Sequence, residues 1–290
     1  MKRHLRFGLA AAALATLWGG QVGWADEEEV VRAARQVLEK HQAAVVWVSA
    51  VVKIRVQGMG VGLAPAQEQK LENVGTVIDP SGLTVVSYTG MDPMAMLRGM
   101  SVQAEGEQVK LDFKTEISDV KIRTADGREV PAKLVLRDEE LDLAFVMPQQ
   151  GGPAAGIEKW PHVALQQAPE VAALDRTISL GRLGKDLNRQ ATVSLGRVQA
   201  VVTKPRKFIV PELTALVSTG GPVFSADGRV LGIVVIRKGH VAAAGAMMSM
   251  ADVPSPVIVP AEDIGKVAAQ ALPKKGQAEP PPAATQPAEP

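Results

Sequence analysis

Between residues 45 and 260 the chain is a series of short, Val-rich runs divided by compact turn signals. "VVWVSAVVKIRV" (45–56) is one such run, and "GTVIDPSGLTVVSY" (75–88) reads as strand, Pro-Ser-Gly turn, strand. "VKIRTADGREVPAKLVLRDEELDLAFVMP" (120–148) repeats the form with an Asp-Gly turn and then an acidic turn. "RTISLGRLG" (176–184), "ATVSLGRVQAVVTK" (191–204), "PVFSADGRVLGIVVIR" (222–237) and "SPVIVP" (255–260) continue it. β-Branched side chains suit a half-buried pleated surface. About a dozen such runs with turns between them predict an all-β barrel or sandwich. Hydrophobic residues make up 46% of the sequence and aromatics 3%, so the core must be assembled from Val, Leu, Ile and Ala.

The flanks are of another kind. Lys2, Arg3 and Arg6 precede the apolar stretch "FGLAAAALATLWGG", and small residues at Gly23 and Ala25 stand before "DEEE". A basic start, an apolar run too short for a stable membrane span and a small-residue site read as a signal peptide, residues 1–25, cleaved after Ala25. A periplasmic or secreted location is the expectation, and Cys is absent, so an exported chain of this kind has no disulfides. "DEEEVVRAARQVLEKHQAA" (26–44) has acids at its start and Val30, Val31, Ala34, Val37 and Leu38 at helical spacing. His41 falls near the end of that helix, where a cation is favourable. "AEDIGKVAAQAL" (261–272) reads as a closing helix, and residues 273–290, rich in Pro, Ala and Gln, as a disordered tail. The formal net charge of +1 gives no basis for nucleic-acid binding.

Two segments interrupt the β pattern and are expected to be loops, "QGMGVGLAPAQEQKLEN" (57–73) and "MDPMAMLRGMSVQAEGEQVKLDFKTE" (91–116). The second contains Met91, Met94, Met96 and Met100, and Met247, Met248 and Met250 form another group. Flexible thioether side chains make an adaptable apolar surface for a peptide or a neighbouring subunit. Copper(I) is the alternative ligand for such a group.

Taken in order, these stretches resemble trypsin-like serine protease domains of the HtrA/Deg type, over about residues 43–272. "VGTVIDPSGLTVVSYTGM" is similar to that family's "SGVIIDxxGYIVTNNHVV", and "RDEELDLAFVM" to "DxxxDIALI". "ISLGRLG" is similar to "VAIGNPFG", "TVSLGRVQAVV" to "TVTxGIVSA", "VSTGGPVFSADGRVLGIVV" to "GNSGGPLVNxxGEVIGIN" and "VIVPAEDIGKVAAQ" to "FAIPxxxxxxVxxQ". The resemblance implies an all-β, trypsin-like double β-barrel (the chymotrypsin fold) with a leading and a closing helix. Its barrels would lie at roughly 45–150 and 165–260. The PDZ module that often follows in that family has no counterpart, the Pro-rich tail standing in its place.

The same resemblance assigns the site. Asp142 occupies the position of the family's Asp, whereas the His position falls on Thr89 and the nucleophile position on Thr219. Val217 replaces a glycine of the oxyanion loop, beside Ser218, Gly220 and Gly221. A threonine hydroxyl is far too weak a base near neutral pH, and the methyl of Thr219 restricts its χ1 and crowds attack. Val217 lacks the backbone freedom of Gly. His41, His162 and His240 all lie away from the strand end where the base belongs. The expectation is therefore a degenerate, non-catalytic domain, with Asp142 accepting turn N–H groups and Gly220 and Gly221 holding a tight turn. It would need no cofactor or metal and would bind a protein or peptide, with oligomerisation possible. The alternatives are an atypical active serine endopeptidase with a recruited base and a Met-rich copper-binding exported protein.

Overall fold

A computed structural model describes residues 22–57, 67–98, 101–104, 107–110, 112–149, 157–212, 218–237 and 254–272. Helix α1 (Val22–His41) begins ahead of the expected cleavage point and ends in a short 3-10 turn, Gln42–Ala44. Strands β1 (Val45–Gln57), β2 (Gln67–Val77) and β3 (Thr84–Ser87) follow, then the single-turn helix α2 (Tyr88–Met91) and a 3-10 turn, Pro93–Met96. Strands β4 (Ser101–Ala104) and β5 (Glu107–Lys110) make a separate hairpin. β6 (Asp112–Arg123), β7 (Glu129–Asp138) and β8 (Leu143–Pro148) complete a closed barrel in the order β1-β2-β3-β8-β7-β6. A second closed barrel contains β9 (Arg176–Arg182), β10 (Ala191–Val202), β11 (Phe208–Pro211), β12 (Pro222–Ser225), β13 (Val230–Arg237) and β14 (Ser255–Pro260), in the order β10-β11-β14-β13-β12-β9. Helix α3 (Ala261–Ala271) closes the described chain. No helix among the described residues is long and apolar enough to cross a membrane.

The double barrel explains the unbroken apolar runs. Along β3 and β8, Val86, Ala144 and Val146 fill the interior of the first barrel. Their alternates Val85, Leu143 and Phe145 face the other way, into a layer shared with Phe208, Ile233, Val235, Val257 and Val259 of the second barrel. A strand buried on both faces loses the alternation of a half-buried one. In β14, Ile258 points into the second barrel while Val257 and Val259 join the shared layer. Ala34 and Val37 of α1 pack on Val45, Val74, Ile178, Leu180 and Phe224.

The structure corrects two expectations and adds a strand. The interruption at 57–73 is partly strand, because β2 starts at Gln67. Its exposed first residues, Gln67 to Lys70, show no apolar alternation and are held by pairing with Ile54 to Val51 of β1. The Met-rich interruption contains the end of α2, the 3-10 turn, the β4–β5 hairpin and the start of β6. β11 lies in a stretch, "KFIV", too short to stand out as a strand by pattern alone. The residues up to 21, the tail from 273, Met247, Met248 and Met250 lie outside the described residues.

Candidate functional site

The site is built around one buried carboxylate. Asp142 ends the tight turn between β7 and β8 with φ +55°, a left-handed conformation that Asp tolerates better than most residues. Its side chain is only 3% exposed. Oδ1 accepts the backbone N–H of Thr89 and the Thr89 hydroxyl, each at 2.7 Å. Oδ2 accepts the Ser87 hydroxyl at 2.5 Å and the backbone N–H of Ile236 at 2.9 Å. The Tyr88 N–H donates to the Asp142 carbonyl at 2.9 Å. Ser87 and Thr89 bracket the junction of β3 and α2 in the first barrel, whereas Ile236 lies on β13 in the second. The carboxylate therefore ties the two barrels together through its own hydrogen bonds.

The turn that bears Thr89 is clasped from β2. Asn73 Nδ2 donates to the Gly90 carbonyl at 2.8 Å, and a Cβ on Gly90 would come within 2.4 Å of Asn73 Oδ1. Beneath it lies a buried ionic group. Asp92 is 1% exposed, and its Oδ2 accepts bonds from the Tyr88 hydroxyl at 3.0 Å, the Thr115 hydroxyl at 2.9 Å and the Arg98 guanidinium. Burial raises the Tyr88 phenol above its usual range, opposed by its hydrogen bond from Arg98. This network folds the Met-rich segment onto the barrel. Met91 is fully buried with Tyr88 and Ala95 in the first-barrel core. Met94 and Met96 are half-buried, and Met100 lies outside the described residues. The expected display of four thioethers thus becomes a packing residue with two half-buried neighbours.

The second group of contacts, also anchored on β13, is the turn at 218–221. The Gly220 N–H donates to the Val234 carbonyl at 2.7 Å, and the Val234 N–H to the Gly221 carbonyl at 3.0 Å. The Thr76 hydroxyl of β2 donates to the Gly220 carbonyl at 2.7 Å, a second tie between barrels. Gly220 has φ +85°, and a Cβ there would lie 2.0 Å from the Val74 carbonyl oxygen. Only glycine fits that approach. Val234 anchors the Thr219 turn and Ile236 anchors Asp142, so the two groups meet β13 about 7 Å apart, the rise of a residue pair along a strand. Thr219 itself is half-exposed, and neither its N–H nor its hydroxyl has a hydrogen-bond partner among the described residues. Val217 lies outside the described residues.

No described histidine is a hydrogen-bond partner of Asp142. His41 stacks on Phe224 with ring centroids 5.1 Å apart, at the junction of α1 and the second barrel. Burial first, then the charges of Lys40 and His162, lowers its pKa to about 4. The expected helix-end cation is thus a neutral packing residue near neutral pH. His162 Nδ1 lies 3.1 Å from the Trp160 carbonyl, and His240 is outside the described residues.

Residues 100–233 match the family model of the trypsin-like peptidase domain. The fold is trypsin-like. No curated protein matches the chain. The matched region contains Asp142 and Thr219 but stops short of Thr89 on one side and of Ile236 on the other. In this trypsin-like domain Ser87, Asn73 and the Ile236 N–H complete the site without any sequence signal of their own. Ser87 is an ordinary strand residue by pattern, and Ile236 acts through its backbone.

Proposed function

We propose that this chain is an exported, non-catalytic trypsin-like domain of the HtrA type, cleaved after Ala25, that binds extended peptide or protein segments in the cleft between its barrels. The observation that carries this reading is the hydrogen bonding of Asp142. Hydrolysis by a serine-type triad needs the carboxylate to orient an imidazole, which then takes the proton of the nucleophile. Here both carboxylate oxygens are engaged by hydroxyls and N–H groups of Ser87, Thr89 and Ile236. The Thr89 hydroxyl donates where a ring N–H would, and it has no basicity to pass on. Thr219 keeps its place in a glycine turn, but nothing beside it among the described residues can take its proton. What persists is the architecture of a binding cleft, with its walls linked by two inter-barrel hydrogen-bond sites, at Asp142 and at Gly220.

The test is a turnover assay on the purified mature chain with fluorescent casein, in parallel with Thr219→Ala. The expected result is no cleavage above background for either protein. Cleavage by the wild type that Thr219→Ala abolishes overturns the proposal.

A further inference from the structure

Among the described strands, none pairs with the edge of β13 beside the site. Val234 directs its N–H and carbonyl to Gly221 and Gly220, so Ile236, two residues on, directs its own pair to the same side. The Ile236 N–H meets Asp142 there, and no described strand continues the sheet along that edge. On the other side β13 stays paired with β14 as far as Arg237 and Ser255.

Arg237 stands at the end of this edge. Its guanidinium lies over the Phe208 ring, 5.0 Å from the centroid, and Nη1 donates to the Glu140 carbonyl at 2.8 Å. The carboxylates around it are already committed. Glu140 is gripped by Arg206 through Nε and Nη2, each at 3.1 Å. Glu139 lies 3.7 Å from both Arg98 and Arg137, and Asp142 is engaged as described. Among the described residues Arg237 is thus a half-buried cation held by a ring and a carbonyl, with no carboxylate partner. Arg presents several N–H donors in a planar fork suited to a carboxylate.

We propose that Arg237 is the specificity-determining residue of the cleft and selects extended peptides with an acidic side chain. This rests on the peptide-binding reading above. A peptide running antiparallel to β13, with an N–H donating to the Ile236 carbonyl, places the side chain opposite Arg237 on the Arg237 face of the sheet, at cross-strand contact distance. A carboxylate there forms a charge-assisted bond over the Phe208 ring, and a lysine there meets a like charge.

The experiment is fluorescence anisotropy with the mature chain and labelled octapeptides of Ala and Val. Each carries one central Glu, Gln or Lys. The Glu peptide is expected to bind about tenfold more tightly than the Gln peptide, and the Lys peptide more weakly than either. Raising the salt concentration shrinks that preference in the wild type, with no substitution needed. Arg237→Gln removes the preference, so that the Glu and Gln peptides bind alike, and Arg237→Glu reverses the order in favour of Lys. Thermal melts of both variants verify that they fold. Peptides that bind equally whatever their charge, or a Glu preference that survives Arg237→Gln, overturn the role of Arg237. Failure of all three peptides to bind the wild type overturns the peptide-binding reading beneath it.

Discussion

Asp142 and the Thr219 turn are anchored two residues apart on β13, and their surroundings differ sharply. Asp142 is buried, sits in a left-handed conformation and accepts four hydrogen bonds, one of them from the other barrel. Thr219 is half-exposed and its polar groups have no partner among the described residues. The turn around it is nevertheless rigidly seated, through Gly220 and Gly221 rather than through Thr219 itself. A catalytic frame therefore contains two kinds of position. Asp142 and Gly220 hold the barrels together whether or not any bond is cleaved. Thr219 and Thr89 matter to chemistry through the identity of their side chains. On the proposed non-catalytic reading, the first kind is retained and the second is replaced.

Asp142→Ala breaks the comparison most severely. It strands the Thr89 and Ile236 N–H groups and two hydroxyls in a buried place. Such a loss is expected to cost about 3–5 kcal/mol of stability, because several donors lose their partner at about 1–3 kcal/mol for each one left buried and unpaired. Urea denaturation measures it. A cost below about 1 kcal/mol, the scale of a single ordinary hydrogen bond, removes Asp142 from its role as the link between barrels.

Gly220→Ala comes next. The added methyl must enter at φ +85° and within 2.0 Å of the Val74 carbonyl, so the turn and β2 have to separate. The expected loss is about 2–3 kcal/mol. It should be accompanied by a weaker Thr76 bond to the Gly220 carbonyl, visible as faster amide exchange in β2. Unchanged stability and exchange show that the turn is not held against β2.

These two positions also mark what was legible in the sequence. The Asp-Gly and Pro-Ser-Gly turns, the Val-rich runs and the two-glycine frame locate most strands and both positions, because each is a local pattern. β11 and the first half of β2 are not legible, since their pairing comes from neighbours distant in sequence rather than from their own alternation. The Ile236 N–H and the Asn73 clasp are invisible for the same reason. They are tertiary contacts between segments separated by 94 and 17 positions. His41 misleads in the opposite direction. Its place at a helix end suggests a cation, but the Phe224 ring of the second barrel buries it.

That histidine gives a smaller effect, away from both positions. Its pKa is about 6.5 when unfolded and about 4 when folded, so the unfolded chain binds the proton more readily. The stability it contributes is complete above pH 6.5 and is lost as the pH falls towards about 4. The melting temperature should decline over that window, and His41→Phe, which preserves a stacked ring, should flatten the decline. An identical slope in His41→Phe removes His41 as the source of the pH dependence.

Thr219 should give the smallest effect of all. Thr219→Ala removes a hydroxyl with no partner among the described residues from a half-exposed turn, so stability should stay within about 0.5 kcal/mol of the wild type. Thr219→Ser is the sharper variant. It removes the methyl that restricts χ1 and supplies the primary hydroxyl of a serine-type nucleophile. It does not supply a base, because Thr89 still holds the carboxylate of Asp142. Members of a catalytic triad act as a unit, so a nucleophile restored alone contributes little. Casein turnover by Thr219→Ser should therefore remain at background. Turnover that appears in Thr219→Ser and disappears when His162 or His240 is also replaced reveals a recruited base. In that event the contrast between the two positions reverses: Thr219 becomes the position where the chemistry was blocked, and Asp142 merely the position where it was never needed.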